Sequence, residues 1–433
     1  MDKQPFPAIG SRLCGTELRY GMVDLLTGVK QSKTDSSLRI LAAISAAHWV
    51  SHFYMFVLPM LFPFFKEQLG VGFVELGLPL TVFAVISALT QAPIGYLVDR
   101  VGARLILVLG LCLGGFAFIF LGLTLSYPAL MVSAVLLGLA NAVYHPANYA
   151  ILAAHMDETR MGRAFSIHTF AGFLGGAVAP AVVAGLVALS GGHGALIVAG
   201  VIGPLIAALL LVVRIPDASA TANGPARAAN SRTNVLTPAI MVLTAFFMLY
   251  SLSNNGIGTF GVVALMAGYG SSFSAANIAL TAFLGASAAG VLAGGFLADR
   301  TARHGQVAAA CFAVNAIIVL VIATTTLAPV ALIVAMTTAG FLSGVIAPSR
   351  DMMVRNAAPP GAAGRAFGIV STGFNLGGIA GPLIYGWVMD QQMPHWVFGA
   401  SAVFMILTVL LALVPEPASR PASDKVAPGI LPS

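Results

Sequence analysis

Long runs of apolar residues alternate with short polar segments along the chain, and most runs are about as long as a membrane-crossing helix. An α-helix needs about 20 apolar residues to cross roughly 30 Å of hydrocarbon. The pattern therefore predicts twelve spanning helices, six in each half of the chain. The predicted spans are 40–63, 74–97, 103–125, 128–153, 163–188 and 194–213, followed by 236–257, 273–297, 306–326, 330–353, 365–388 and 395–414.

Polar segments divide the predicted helices into two groups. We expect an N-terminal tail at 1–39, a six-helix bundle at 40–214, a central loop at 215–235 and a second six-helix bundle at 236–414. The Pro- and Ser-rich segment 415–433 is predicted to be a disordered tail. The fold class is therefore an all-α membrane protein.

The composition agrees with this interpretation. Hydrophobic residues make up 58% of the chain and charged residues 8%, whereas a soluble domain carries about 25% charged residues. The 47 glycines suit helices that pack closely in lipid. The first 38 residues lack the apolar core of a signal peptide, so we expect the first spanning helix to direct insertion. The three scattered cysteines indicate neither a disulfide framework nor a metal site.

The basic residues predict the orientation. If the N terminus lies in the cytoplasm, every Lys and Arg except Lys66 falls on the cytoplasmic side of the predicted spans. This is the positive-inside pattern of a bacterial inner-membrane protein, with both termini cytoplasmic. It also explains the net charge of +6 without a nucleic-acid-binding patch, because the basic residues are spread over many loops.

The two halves repeat each other in sequence. Gly162–Phe165 recurs as Gly364–Phe367 at an offset of 202, and the Gly, Leu, Asp and Arg of Gly95–Arg100 recur in Gly295–Arg300 at an offset of 200. Parallel repeats related by an axis along the membrane normal are one plan of secondary transporters, and the substrate site then lies between the halves. The repeat therefore predicts two pseudo-symmetric six-helix bundles.

The segment Gly95–Arg104, which joins the second and third spans, resembles the signature loop of the major facilitator superfamily. Ala103 stands where that loop usually has a basic residue. The resemblance implies the twelve-helix fold, alternating access, and a gating role for five charged residues; the alternative is that these residues only anchor the topology. They are Asp99, Arg100, Arg104, Asp299 and Arg300. Within the superfamily, Ala47–Pro59 and Val143–Pro146 resemble the fosmidomycin-resistance type of exporter.

Several polar residues lie at membrane depth, where they are costly and commonly functional. His48 and His52 are four residues apart and share one helix face. A polar stripe on the fourth span and one histidine on the fifth complete the set: Asn141, His145, Asn148 and His168. We expect these residues to bind solute or protons. The alternative is that they form hydrogen bonds between helices.

Arg350 and Asp351 are adjacent charged residues within the tenth predicted span. Arg350 can hold an anion through two parallel hydrogen bonds; the alternatives are an internal ion pair or a lipid-headgroup anchor. Asn375 is a further polar candidate in the Gly-rich eleventh span. No Asp or Glu lies in the middle of a predicted span, so proton coupling would have to use a histidine or Asp351.

Other classes of function fit less well. Gly256–Gly261 matches the dinucleotide-binding fingerprint but lacks the βαβ context, and there is no ATPase phosphate loop. We therefore expect no cofactor, no resident metal and no enzymatic activity, although His48 and His52 alone could bind a metal. The tails are too short for the output domain of a receptor. The sequence predicts a monomeric secondary transporter of an anionic or neutral organic solute; the alternative is multidrug or antibiotic efflux.

Overall fold

The computed structural model describes residues 16–157, 160–213, 215, 235–359 and 362–414, with side chains except at 16–36, 162, 363 and 364. The predicted tail 415–433 and all but the two ends of the central loop 215–235 lie outside the described residues, as does the start of the predicted tail 1–39.

Helices make up nearly all of the described chain. The N-terminal half contains α1 (Thr16–Met60), α2 (Phe62–Leu69), α3 (Phe73–Val101), α4 (Ala103–Thr124), α5 (Tyr127–His155) and α6 (Met161–Val212). The C-terminal half contains α7 (Pro238–Asn255), a π-helical turn (Gly256–Phe260), α8 (Gly261–Tyr269), α9 (Phe273–Arg300), α10 (His304–Thr324), α11 (Pro329–Ala357), α12 (Ala363–Asp390) and α13 (His395–Ala412).

The number of spans agrees with the prediction. Among the described residues, 11 helical segments are long and apolar enough to cross a membrane. One of them, Arg163–Val212, is 50 residues long and bends at Gly191, whose φ of 68° and ψ of 179° interrupt the helix. A side chain would strongly disfavour that backbone conformation. Gly191 therefore separates the fifth and sixth spans within α6, and the total is twelve.

Two predicted helix ends are wrong. The seventh span does not end at 257, because the helix continues through the π turn and α8 to Tyr269. The first span does not end at 63, since α2 continues to Leu69 after a break at Leu61. In both cases, a glycine in the left-handed conformation ends the helix: Gly70 has a φ of 64° and Gly270 a φ of 63°. The two halves thus share this ending at the offset of 200.

Each half packs as a bundle. α6 packs against α1 and α4, and α5 packs against α3 and α4. In the second half, α11 packs against α9 and α10, and α7 packs against α12 and α13. Glycines permit the closest approach: Cβ atoms at Gly340 and Gly344 of α11 would overlap the carbonyl oxygens of Phe283 and Ser287 on α9. Small residues at such crossings are typical of membrane bundles, where close packing replaces the hydrophobic effect.

The two halves meet along two helix pairs, α3 with α12 and α6 with α9. The α3–α12 pair is joined where α3 begins and α12 ends, because Thr81 donates a hydrogen bond to the Ile379 carbonyl oxygen at 2.8 Å. The rings of Phe62 and Phe260 also meet across the halves, 5.3 Å apart. We call this the closed end. The opposite end, where α3 finishes at Val101, is the basic end.

Candidate functional site

Four predicted histidines come together within the N-terminal bundle. His48 and His52 on α1 lie one turn apart, with ring centroids at 4.7 Å. The ring of His48 stacks on His168 of α6 at 4.1 Å and meets His145 of α5 edge-on at 5.4 Å. Three helices therefore converge on His48. We call these four residues the histidine cluster.

Two members of the histidine cluster are buried, His52 and His145 are half-buried, and the hydrogen-bonding groups of the cluster are only partly paired. His48 is 4% exposed and His168 is fully buried. The Oγ of Ser51 lies 3.4 Å from Nδ1 of His48, but neither ring nitrogen of His168 has a partner among the described residues, nor does Nδ1 of His145. Buried polar groups are normally paired. The unpaired nitrogens of His168 and His145, on two adjacent helices, therefore lack the partners that buried polar groups normally have.

A glycine makes room for the cluster. A Cβ atom at Gly172 of α6 would lie 2.5 Å from Nε2 of His48 and 2.9 Å from Cδ2 of His52. Both separations are far shorter than an ordinary packing contact of about 3.5–4.0 Å. The rings of His48 and His52 can therefore occupy their positions only because residue 172 has no side chain.

The second charged group of the site lies on α11 in the C-terminal half. Nε of Arg350 donates to Oδ1 of Asp351 at 3.0 Å. The guanidinium also lies over the rings of Phe247 and Tyr250, 4.7 and 5.1 Å from their centroids. Cation–π contacts of this kind fix a guanidinium without using its N–H groups. The terminal nitrogens of Arg350 have no hydrogen-bond partner in the described part of the chain.

Tyr149 of α5 extends the histidine cluster. Its ring lies 5.6 Å from His145 and 6.1 Å from His168. Sequence reasoning missed both Tyr149 and Tyr250. The available signal was the position of Tyr149, one turn beyond His145 on the polar stripe. The candidate site therefore has two parts, the histidine cluster with Tyr149 in the N-terminal half and Arg350 with Asp351 in the C-terminal half.

The three predicted asparagines lie in different surroundings. Nδ2 of Asn141 donates to Oγ of Ser87 on α3 at 2.7 Å, so Asn141 joins two helices of one half. Asn148 is fully buried, and its amide has no partner among the described residues. Asn375 is exposed on α12. A place in the site therefore remains a prediction for these residues.

The predicted gating residues lie at the basic end. Arg104 donates to the carbonyl oxygens of Leu210 and Leu211, at 3.1 and 2.9 Å for Nη2, and so ties α4 to the end of α6 within one half. The Arg100 guanidinium lies over the ring of Tyr96 at 4.2 Å. Asp99, like Asp299 and Arg300 of the second half, is exposed. Across the described chain, no hydrogen bond or ion pair from these five side chains reaches the opposite half.

Comparisons with known proteins agree with this architecture. The chain is 24% identical over 433 residues to the Fosmidomycin resistance protein of Escherichia coli K12, covering 96% of this chain and 98% of that protein. It is 28% identical over 142 residues to the Probable L-galactonate transporter of the same organism, covering 33% of this chain and 31% of that protein.

A similar solved structure is the inward-facing, occupied form of a bacterial homologue of the human lysosomal transporter Spinster. Its TM-score is 0.72 at 15% identity, over 86% of this chain and 95% of that one. The likeness concerns the fold. The family model of the Major Facilitator Superfamily matches residues 44–264 and 243–431. The chain is therefore a multi-pass membrane transporter that belongs to the Major Facilitator Superfamily.

Proposed function

We propose that this protein carries a small organic anion by alternating access, and that the anion binds between Arg350 and the histidine cluster. Arg350 carries the proposal. Asp351 accepts a hydrogen bond from its Nε, while its terminal N–H groups have no partner among the described residues and can bind a carboxylate or a phosphonate. A partly buried cation that offers two parallel donors favours an anionic group over a neutral one.

The histidine cluster would receive the other end of the solute. Its unpaired nitrogens can donate to or accept from hydroxyl and acid groups. The similarity to a protein named as an L-galactonate transporter supports an organic acid as solute. We further propose that both termini are cytoplasmic, since basic loops lie on the cytoplasmic side of such proteins. The closed end lacks the basic loops and would therefore face away from the cytoplasm, so the structure would be open inward.

A proton would accompany the anion in this proposal. Arg350 and Asp351 together are neutral, so an added anion leaves a net charge in a poorly solvated site, which is costly. A proton taken up by a histidine or by Asp351 would cancel that charge. If transport into proteoliposomes proved independent of an imposed pH gradient, the coupling would be disproved while the anion site could stand.

The binding experiment uses purified protein and two probes, L-galactonate and fosmidomycin. Ligands that bind the native state raise its melting temperature. We expect L-galactonate to stabilise the protein and Arg350→Gln to abolish the effect. Arg355→Gln is the matched control, because Arg355 is exposed on the same helix and loses the same charge. Equal responses of the two variants would exclude Arg350 as the anion contact.

Antibiotic efflux is the second candidate function, favoured by the similarity to the Fosmidomycin resistance protein over almost the whole chain. It predicts that fosmidomycin, rather than L-galactonate, stabilises the protein. It also predicts that expression in a sensitive bacterium raises the inhibitory concentration of the drug. Stabilisation by L-galactonate alone, without added resistance, would favour the organic-acid carrier.

A further inference from the structure

We infer that Asp390 is a positioning residue that holds the closed end shut by capping a helix of the opposite half. Asp390 is the last residue of α12, and α3 begins at Phe73 in the other bundle. Oδ1 of Asp390 accepts a hydrogen bond from the Phe73 amide at 2.7 Å, and Oδ2 accepts one from the Val74 amide at 2.8 Å. One carboxylate thus satisfies two otherwise unpaired amides of α3.

The sequence at the start of α3 explains why its cap comes from the other half of the protein. The N-cap position is Gly72, which has no side chain to accept these hydrogen bonds. A Cβ atom there would lie 2.6 Å from Oε2 of Glu75 on α3 itself, and 3.0 and 3.1 Å from the two carboxylate oxygens of Asp390. The absence of a side chain at residue 72 therefore leaves space for both carboxylates, including the one from the other half.

The repeated half of the chain has the opposite arrangement. At the offset of 200, Gly72 corresponds to Ser272, which caps α9 itself by accepting a hydrogen bond from the Ala275 amide at 3.2 Å. At the offset of 202, Asp390 corresponds to Ala188 of α6, which has no side-chain acceptor. In the repeat, the helix start with its own cap thus goes with an alanine at the partner position, and the helix start without one goes with an aspartate. Among the described residues, the cross-half cap is present in one of the two pseudo-symmetric interfaces.

Asp390 is badly placed for its own helix. A negative charge at a helix C terminus interacts unfavourably with the helix dipole, whereas the same charge at an N terminus is favourable. Its position at the end of α12 is therefore compensated only while α3 lies against it. Gly77 and Gly386 allow this approach, because Cβ atoms there would overlap the backbone of the facing helix.

Alternating access requires the closed end to open, so the cap exists in only one of the two states. Removing it should favour the state in which this end is open. Loss of a side-chain cap typically changes an equilibrium by about ten-fold. This inference uses the alternating access of the proposed function but not the identity of the solute, so an error in the solute assignment would leave it intact.

The test measures how often the closed end opens. Gly258→Cys is the reporter in a chain whose native cysteines are replaced by serine. A Cβ atom at this position lies between the halves, 3.5 Å from the Phe56 ring, and the site is buried. A membrane-impermeant maleimide is added from the side on which Gln68→Cys, exposed near Gly70, reacts. The labelling rate is then proportional to the fraction of molecules in which the closed end has opened.

We expect Asp390→Ala to raise that rate about ten-fold, and Asp390→Asn, which keeps one acceptor oxygen, to give an intermediate rate. Glu67→Gln is the control, since Glu67 is an exposed acid on α2 near the same end and makes no hydrogen bond to the other half among the described residues. An unchanged rate in Asp390→Ala would overturn the inference.

A double variant separates positioning from simple stabilisation. Gly72 has a φ of −79° and a ψ of 177°, the extended conformation of an ordinary N-cap. Serine can therefore replace it once Asp390 is gone, provided that the flexible end of the Glu75 side chain, 2.6 Å from the new Cβ position, moves aside. Gly72→Ser with Asp390→Ala caps α3 in both states. We expect it to restore the melting temperature but not the slow labelling rate. If the rate also returned to that of the parent protein, Asp390 would serve only to stabilise the helix start and the inference would be wrong.

Discussion

Three glycines of α6 permit a prediction in which the same substitution has three different effects. Gly172 faces the rings of His48 and His52, Gly175 faces the carbonyl oxygen of Trp49, and a Cβ atom at Gly185 would meet nothing within 4 Å. Each residue is changed to alanine. In a helix, that change alone stabilises by about 1 kcal/mol, so any loss must come from the contact at that position.

The distances set the order of the effects. At Gly185 the gain of about 1 kcal/mol remains. At Gly172 the new methyl group would lie 2.5 Å from Nε2 of His48, and the ring must retreat by about 1 Å to reach a normal contact distance. Overpacking of this kind costs about 1–3 kcal/mol, which offsets or exceeds the gain. At Gly175 the obstacle is backbone, so α1 and α6 must separate and the cost lies at the upper end of that range or above it.

Melting temperature and binding are measured together. We expect the melting temperature to fall in the order Gly185→Ala, Gly172→Ala, Gly175→Ala. Displacing a site residue by about 1 Å can weaken function by about 100-fold, so Gly172→Ala should also lose most of its response to L-galactonate. Gly185→Ala should respond like the parent protein. If Gly172→Ala and Gly185→Ala behaved alike in both measurements, the arrangement of the histidine cluster given above would be refuted.

Three further predictions concern other parts of the molecule. Asp351→Asn should tighten L-galactonate binding up to about five-fold by calorimetry, because a half-exposed carboxylate that competes for Arg350 is removed; weaker binding would mean that Asp351 holds the cation in place. Tyr54→Phe should destabilise by about 1–3 kcal/mol in thermal unfolding, since its hydroxyl bonds the α6 backbone at 2.8 and 3.2 Å; the exposed Tyr96→Phe should not. Cys112, exposed on a spanning helix, should react in membranes with a lipophilic maleimide but not with a charged one, and equal reaction would place it in water.

The sequence predicted the number of helices because hydrocarbon thickness fixes their length. It did not predict where α7 continues, since the apolar pattern placed the end of the seventh span at 257. In the structure this segment is a π turn, buried except at Thr259, between two helical runs. Helical periodicity alone cannot show that such glycines are packed against another helix.

The sequence also predicted that His48 and His52 share one face, because that follows from spacing within one helix. Their contact with His145 and His168 depends on how α1, α5 and α6 pack. The spacing of residues within a single helix does not determine that packing. The cross-half cap was missed for the same reason. Gly72 and Asp390 are far apart in the sequence, and neither is unusual where it stands.

The two halves have the same fold but contribute different chemistry. The N-terminal half supplies imidazoles that form no ion pair with a carboxylate among the described residues, and the C-terminal half supplies the Arg350 cation, which is paired with Asp351. Tyr149 contacts His145 and His168 of the N-terminal part. In the proposed alternating access, the halves separate at the closed end, where Asp390 joins them, and the two parts of the site would then change their distance. A solute that bridges Arg350 and the histidine cluster would therefore be held most firmly in one of the two states, and its binding would itself bias the access equilibrium.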